Sequence, residues 1–334
     1  MAARDGELRA ANKKEQVVPR RVHFPTFILL LFLMMGCDSQ QQTILIGGGP
    51  SGGTFQGYAE ALQEVTSTVA PKRQWRVESS AGSIGNLEDL DAGRLDLAMV
   101  YAGDAWLGRR GQLPDEASSF ENVRALGRLY GAAAQLVVAE SSAISQLSDL
   151  IGKRVAIGNP GSGTALAARR FFSSVGLWQR IVPIHVGFSM GLGELERGSV
   201  EAVWLVVGYP NRALVTAAEN RPLRFIDLFS EARESGFFRQ FPFYTEKIIP
   251  PATYPGQVRR VWTFEDSALL AARADLDADL VYRLLQRLYA DAGMEAMAER
   301  HPIGRQLDRR LGLNGIRIPL HPGAERFWRG QGML

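Results

Sequence analysis

Two segments of this chain share one design. A short strand-forming run leads into glycines mixed with small hydroxyl residues, and a stretch with helical spacing follows. In the first, Thr43-Ile44-Leu45-Ile46 leads into Gly47-Gly48-Gly49-Pro50-Ser51-Gly52-Gly53-Thr54. In the second, Lys153-Arg154-Val155-Ala156-Ile157 leads into Asn159-Pro160-Gly161-Ser162-Gly163-Thr164. A buried strand that turns within a few residues into a helix needs the helix packed back on its own sheet. Two such units therefore dictate a layered α/β architecture. The glycines let the backbone turn tightly and approach a neighbour closely.

The intervening pattern agrees. Residues 55–69 place Phe55, Tyr58, Leu62 and Val65 on one helical face, and residues 75–78 form a second strand. Residues 85–92 form a short helix with Leu87 and Leu90 inward, and residues 95–100 a third strand. A second α/β set begins near residue 131, with strands at 135–139, 153–157, 181–186 and 200–207 and helices at 164–175 and 190–197. Pro250-Pro251 and Tyr254-Pro255-Gly256 interrupt it and suggest a crossover; 258–272 returns to strand, and 277–297 is one helix. The alternation predicts a largely parallel sheet. Two α/β lobes joined by crossing segments would leave a cleft for a ligand.

Each glycine loop opens a helix, so each offers backbone N–H groups, hydroxyls and a positive helix end, which suit a carboxylate or another small oxyanion. One loop by itself is equally well explained as a tight turn; two loops, with Ser51, Thr54, Ser162 and Thr164, favour binding. Gly47, Gly49 and Gly52 also match the dinucleotide fingerprint G-x-G-x-x-G. That fingerprint calls for an acidic residue about 20 positions further on. Glu78 ends a strand but comes later, which ranks a dinucleotide-binding oxidoreductase below a binding protein.

The N-terminus has its own logic. Residues 1–36 hold six basic side chains (Arg4, Arg9, Lys13, Lys14, Arg20, Arg21) and three acidic ones (Asp5, Glu7, Glu15), a surplus of three. The whole chain carries +3, so the remainder is neutral and gives no electrostatic case for nucleic acid. The apolar run at 24–35 is shorter than the roughly 20 residues that span a bilayer. A basic start, a short apolar core and a small residue before a break describe an export signal. Leu33-Met34-Met35-Gly36-Cys37 resembles the bacterial lipoprotein box, which implies a lipid on Cys37, the only cysteine. Asp38 resembles the signal for retention at the inner membrane, and residues 38–42 form a polar tether.

Further strings lie in a specific order. Glu78-Ser79-Ser80-Ala81-Gly82-Ser83-Ile84-Gly85-Asn86-Leu87 precedes Ala92-Gly93-Arg94-Leu95-Asp96-Leu97-Ala98. Leu129-Tyr130, Leu150-Ile151-Gly152-Lys153-Arg154-Val155 and Gly161-Ser162-Gly163-Thr164 follow. Phe241-Pro242-Phe243-Tyr244, Thr253-Tyr254-Pro255-Gly256 and Ile318-Pro319-Leu320-His321-Pro322-Gly323-Ala324 complete the series. With these strings, residues 43–330 resemble the TAXI solute receptors of tripartite ATP-independent periplasmic (TRAP) transporters.

The resemblance implies a type II periplasmic-binding-protein fold, with two α/β lobes, a hinge and an interlobe cleft. One lobe would comprise 43–130 plus 252–334 and the other 131–251, after a signal peptide at 1–36 and an anchor and tether at 37–42. It implies capture of a small carboxylate or amino acid such as glutamate, delivery to TRAP permease subunits, and residence in the periplasm on the inner membrane. A ligand-binding lipoprotein serving a sensor is the alternative. The contacts it implies are Gly53, Thr54, Gly82, Ser83, Asn86, Gly161, Ser162, Gly163 and Thr164. Where the family often has a Gln-Ser-Asp run after the third strand, this chain has Tyr101-Ala102-Gly103 with Asp104 next. Tyr101 supplies an aromatic wall and a hydroxyl. Unless Asp104 supplies a counter-charge for an amine, the ligand is less polar than glutamate or lacks an amine.

Catalytic chemistry has little support. Ser162 in Gly-Ser-Gly lacks the G-x-S-x-G elbow, and the four histidines show no metal-ligand spacing such as H-E-x-x-H. The chain is read as a non-enzyme with no cofactor and no metal. His301 and His321 each precede a proline, which favours extended or turn geometry. Trp204 and Tyr209 are candidates either for the cleft or for the core.

Overall fold

The computed structural model describes residues 43–50, 53–113 and 119–334; the leader, Cys37, the tether, Ser51 and Gly52 lie outside the described residues. Its first unit runs β1 (Thr43–Gly47), α1 (Thr54–Thr66), β2 (Gln74–Glu78), α2 (Ser83–Asp91), β3 (Leu97–Tyr101) and α3 (Ala102–Gly108). A single 17-residue strand, β4 (Val123–Ala139), leads out of it. The second unit is β5 (Arg154–Ala156), α4 (Gly163–Ser174), β6 (Val182–Ile184), α5 (Phe188–Arg197) and β7 (Ala202–Val207). Then come α6 (Arg212–Asn220), β8 (Leu223–Ile226), α7 (Phe229–Glu234), α8 (Phe237–Gln240), β9 (Thr245–Ile249) and the long β10 (Val261–Arg273). The chain finishes with α9 (Ala278–Leu288), α10 (Asp291–Arg300) and α11 (Pro322–Gly330).

The ten strands among the described residues share one sheet, in the order β2-β1-β3-β10-β4-β7-β5-β6, with β8 added to β4 and β9 to β10. The two ends are parallel: β1 with β2 and β3, and β5 with β6 and β7. The middle is antiparallel, because β10 pairs with β3, β4 and β9, and β4 with β7 and β8. The expectation of a largely parallel sheet is thus corrected: parallel units flank an antiparallel centre. β4 and β10 each run through both halves, with register shifts after Ala268 and Leu270. The boundary expected at residues 130 and 131 falls inside β4.

Several expected elements follow directly from pattern. Phe55, Tyr58, Leu62 and Val65 of α1 are all buried, as their spacing requires. β3 is buried at every residue, as befits a strand covered on both faces. Three expectations need correction. β4 begins at Val123 rather than near 135, because Gly127, Gly131 and the run Ala132-Ala133-Ala134 mute the strand signal. Pro250-Pro251 ends β9 and begins a turn that returns as antiparallel β10, so the crossing is made by β10 itself. The single helix expected over 277–297 is two. Gly293 lies against the end of α9, where an added Cβ would come within 2.6 Å of the Leu288 carbonyl oxygen, so the chain turns sharply there.

Trp204 belongs to the core. It is fully buried, with its ring stacked on Phe171 at 5.3 Å and Phe264 beyond. His301 and His321 are helix N-caps: each Nδ1 accepts from the backbone N–H two residues on, at 3.2 Å, and the proline occupies the first helical turn.

Candidate functional site

The parallel pairs β1/β3 and β5/β7 run in opposite directions, because β3, β10, β4 and β7 are each antiparallel to the next. Their C-terminal ends therefore meet head to head in mid-sheet, and ligands bind at the carboxyl ends of parallel strands. A cavity of about 140 Å³ lies there. Four helices start in its wall: α1 after Gly53, α2 after Gly82, α4 after Ser162 and α5 after Gly187. Gly53, Gly82 and Gly187 make no side-chain cap, so those helix ends face the cavity with backbone alone. Each helix start carries unpaired N–H groups and about half a positive charge. Gly82 has φ 109°, a conformation that side-chain-bearing residues rarely adopt, and this turn brings α2 to the wall.

Hydroxyls supplement the backbone. The Ser83 Oγ accepts from the Tyr101 N–H at 2.9 Å, which ties α2 to β3. The Ser162 Oγ donates to the Asn159 carbonyl at 2.8 Å and accepts from the Ala165 N–H, closing the second glycine loop. The Thr54 Oγ1 lies 3.5 Å from the Asn211 amide that donates to it. The Tyr101 hydroxyl donates to the Val206 carbonyl at 2.7 Å, a bond between the first unit and the second. Burial, then the nearby Asp266 and Asp104, push this phenol well above its usual range, so it acts as a neutral donor. Phe55, whose ring lies 4.7 Å from that of Tyr101, joins Phe188, Met190 and Val207 in an apolar wall.

Of the residues named from sequence, the cavity brings together Gly53, Thr54, Gly82, Ser83, Tyr101, Ser162, Gly163 and Thr164. Three others lie elsewhere. Asn86 is buried beneath the first loop, where its Nδ2 donates to the carbonyls of Gly48 and Met99, each at 2.7 Å. Gly161 forms the apex of its loop at φ 68°. Asp104 does not line the cavity; its Oδ1 pairs with Arg170 at 2.9 Å, both side chains being buried, while its Oδ2 lies beside Gly163 with no hydrogen-bond partner among the described residues. Arg170 also donates to the Tyr244 hydroxyl, and Asp266 accepts from the Gly103 N–H beside them. Burial first, and the Asp104 charge second, push Asp266 well above the usual carboxylate range. Neither Trp204 nor Tyr209 lines the cavity.

Sequence reasoning missed the α5 start: Gly187, Phe188, Ser189 and Met190. The signal was present in reduced form, since Val186-Gly187-Phe188-Ser189 repeats the strand–glycine–helix design with a single glycine. Among the described residues, no group of three or more His, Cys, Asp or Glu could hold a metal ion, and no helix is long and apolar enough to cross a membrane.

The profile of the NMT1-like family matches residues 46–332, nearly all of the described chain. The chain belongs to the NMT1-like family. Solved structures similar to this NMT1-like protein include one from Bordetella bronchiseptica RB50. That protein shares 16% identity and a TM-score of 0.51, over 84% of this chain and 83% of the other. A Xanthomonas citri protein bound to ATP shares 14% identity and a TM-score of 0.50, over 86% and 95%. A putative L-cystine ABC transporter from Listeria monocytogenes shares 14% identity and a TM-score of 0.49, over 80% and 98%. At such identities the likeness concerns fold alone. The architecture of this NMT1-like protein, a central mixed sheet flanked by helices with a cavity where strand ends meet, is shared in outline with the Bordetella and Xanthomonas proteins.

Proposed function

We propose that this NMT1-like protein is the extracytoplasmic solute-binding receptor of a TRAP transporter of the TAXI type, which captures a small carboxylate or amino acid and delivers it to a membrane permease. The observation that carries the reading is the convergence of four helix N-termini on one cavity, α1 and α2 from the first unit and α4 and α5 from the second. An oxyanion held there gains N–H donors and favourable dipoles from both sides at once. The lobes would be 43–130 plus 252–334 and 131–251, hinged where β4 and β10 run together, with the Tyr101–Val206 bond joining them when closed. Lipid on Cys37 would hold the receptor at the inner membrane.

A thermal-shift screen of small carboxylates, amino acids, flavins and nicotinamide nucleotides tests the reading. A ligand bound only by the folded state at 100 times its Kd stabilises by about 2.7 kcal/mol. A rise in Tm with a carboxylate or amino acid is the expected result. A rise only with a flavin or nicotinamide nucleotide would overturn it. Metabolic labelling with palmitate, present in the parent and lost in Cys37→Ser, tests the anchor.

A further inference from the structure

Among the described residues, the cavity wall contains no Asp, Glu, Lys, Arg or His; Tyr101 is the only ionisable side chain of that lining, and its hydroxyl already donates to the Val206 carbonyl. The carboxylate that could have met an amine, Asp104, lies behind Gly163, outside the cavity lining, and its charge is paired with Arg170. The local charge is therefore set by the starts of four helices of 13, 9, 12 and 10 residues, all positive ends. Such an environment attracts one oxyanion and repels an ammonium group. An unpaired ammonium buried there would keep its desolvation cost with no compensating partner. A second carboxylate would find no guanidinium or lysine. Phe55 in the first turn of α1 and Phe188 and Met190 in the first turn of α5 add apolar side chains to the wall, and Met190 is 61% exposed, so apolar surface continues to the mouth. At about 140 Å³, the space resembles the roughly 150 Å³ cavity that accepts benzene.

Resting on the receptor reading above, we infer that the ligand is a small organic monoanion with one oxyanion head, a hydrocarbon tail and no amine. The head lies against the starts of α1, α2, α4 and α5, and the tail against Phe55, Phe188 and Met190. Amino acids and dicarboxylates are disfavoured by the same wall.

Calorimetric titration of the full-length protein with matched pairs tests this: pentanoate against norvaline, 4-methylpentanoate against leucine, 3-phenylpropanoate against phenylalanine, and glutarate against glutamate. The expected result is that an amine-free monoanion binds at least tenfold tighter than its amino partner and than glutarate. An amino acid or glutarate that binds as tightly or tighter overturns the inference while leaving the receptor reading intact. No binding by any of the eight overturns both. Met190→Glu, at an exposed position, places a carboxylate at the mouth and should weaken the best monoanion at least tenfold with Tm unchanged. Equal affinity in that variant would put the ligand elsewhere and overturn the assignment.

Discussion

Asn86 separates a scaffold role from a ligand-binding role. It belongs to the string resembling a ligand-binding segment, yet it is fully buried beneath the cavity. Its Nδ2 donates at 2.7 Å to the carbonyls of Gly48 and Met99, with the Gly47 carbonyl 3.4 Å away. These bonds tie the first glycine loop to β3 through α2. Asn86→Ala would remove the short bonds to two buried carbonyls, leaving Gly48 only its longer one from the Ser80 hydroxyl at 3.3 Å, and each such loss costs about 1–3 kcal/mol. A loss of about 3 kcal/mol is expected, or roughly 5 °C in Tm at about 2.1 cal/mol/K of unfolding entropy per residue. Urea unfolding followed by tryptophan fluorescence measures the loss, and titration well below the new midpoint measures affinity. The Kd should stay within about threefold of the parent, since Asn86 does not reach the cavity. A variant with parental stability and a tenfold weaker Kd would refute the reasoning and make Asn86 a ligand contact.

Tyr101→Phe removes the donor to Val206 and should cost about 1–2 kcal/mol of unfolding free energy. It should also weaken the ligand, because the bond joins the two units around the cavity. Gly163→Ala would bring a methyl group to 2.7 Å from the Tyr101 ring and against Asp104, both buried, and should destabilise by about 1–3 kcal/mol in urea unfolding. Arg170→Met strands the buried Asp104 carboxylate and should cost about 3–5 kcal/mol, whereas Arg170→Met combined with Asp104→Leu should recover much of that. Asp266 is held above the ordinary carboxylate range in the folded state, so between about pH 4 and its raised pKa the native state binds a proton that the unfolded chain has released. Its contribution to stability therefore falls with rising pH in that window, by up to about 1.4 kcal/mol per unit. Asp266→Asn mimics the protonated form, and urea midpoints at pH 5 and pH 8 should show a shallower fall than in the parent.

Strands and helices of the two α/β units were legible because their signals are local. Helical periodicity marked α1, and short apolar runs bounded by glycine marked β1 and β7. Both glycine loops were visible for the same reason, since a chain that turns from strand to helix in so few residues needs glycine in the loop itself. Pairing was not legible. β10 lies between β3 and β4 although more than a hundred residues separate it from either, and no local pattern records which strand it meets or in which direction. The wall of the cavity was likewise decided in three dimensions. Asn86 and Ser83 share one face of the same short helix, three residues apart, yet only Ser83, at the helix start, reaches the cavity, while Asn86 one turn further along meets the carbonyls of Gly48 and Met99. Phe188 and Met190 enter it from the first turn of α5, far along the chain from Tyr101, brought there by the order of the strands. Asp104 shows the limit most directly. Its sequence neighbours place it beside the site, but its charge is committed to Arg170, 66 residues away, and a partner at that separation exists only in the folded chain.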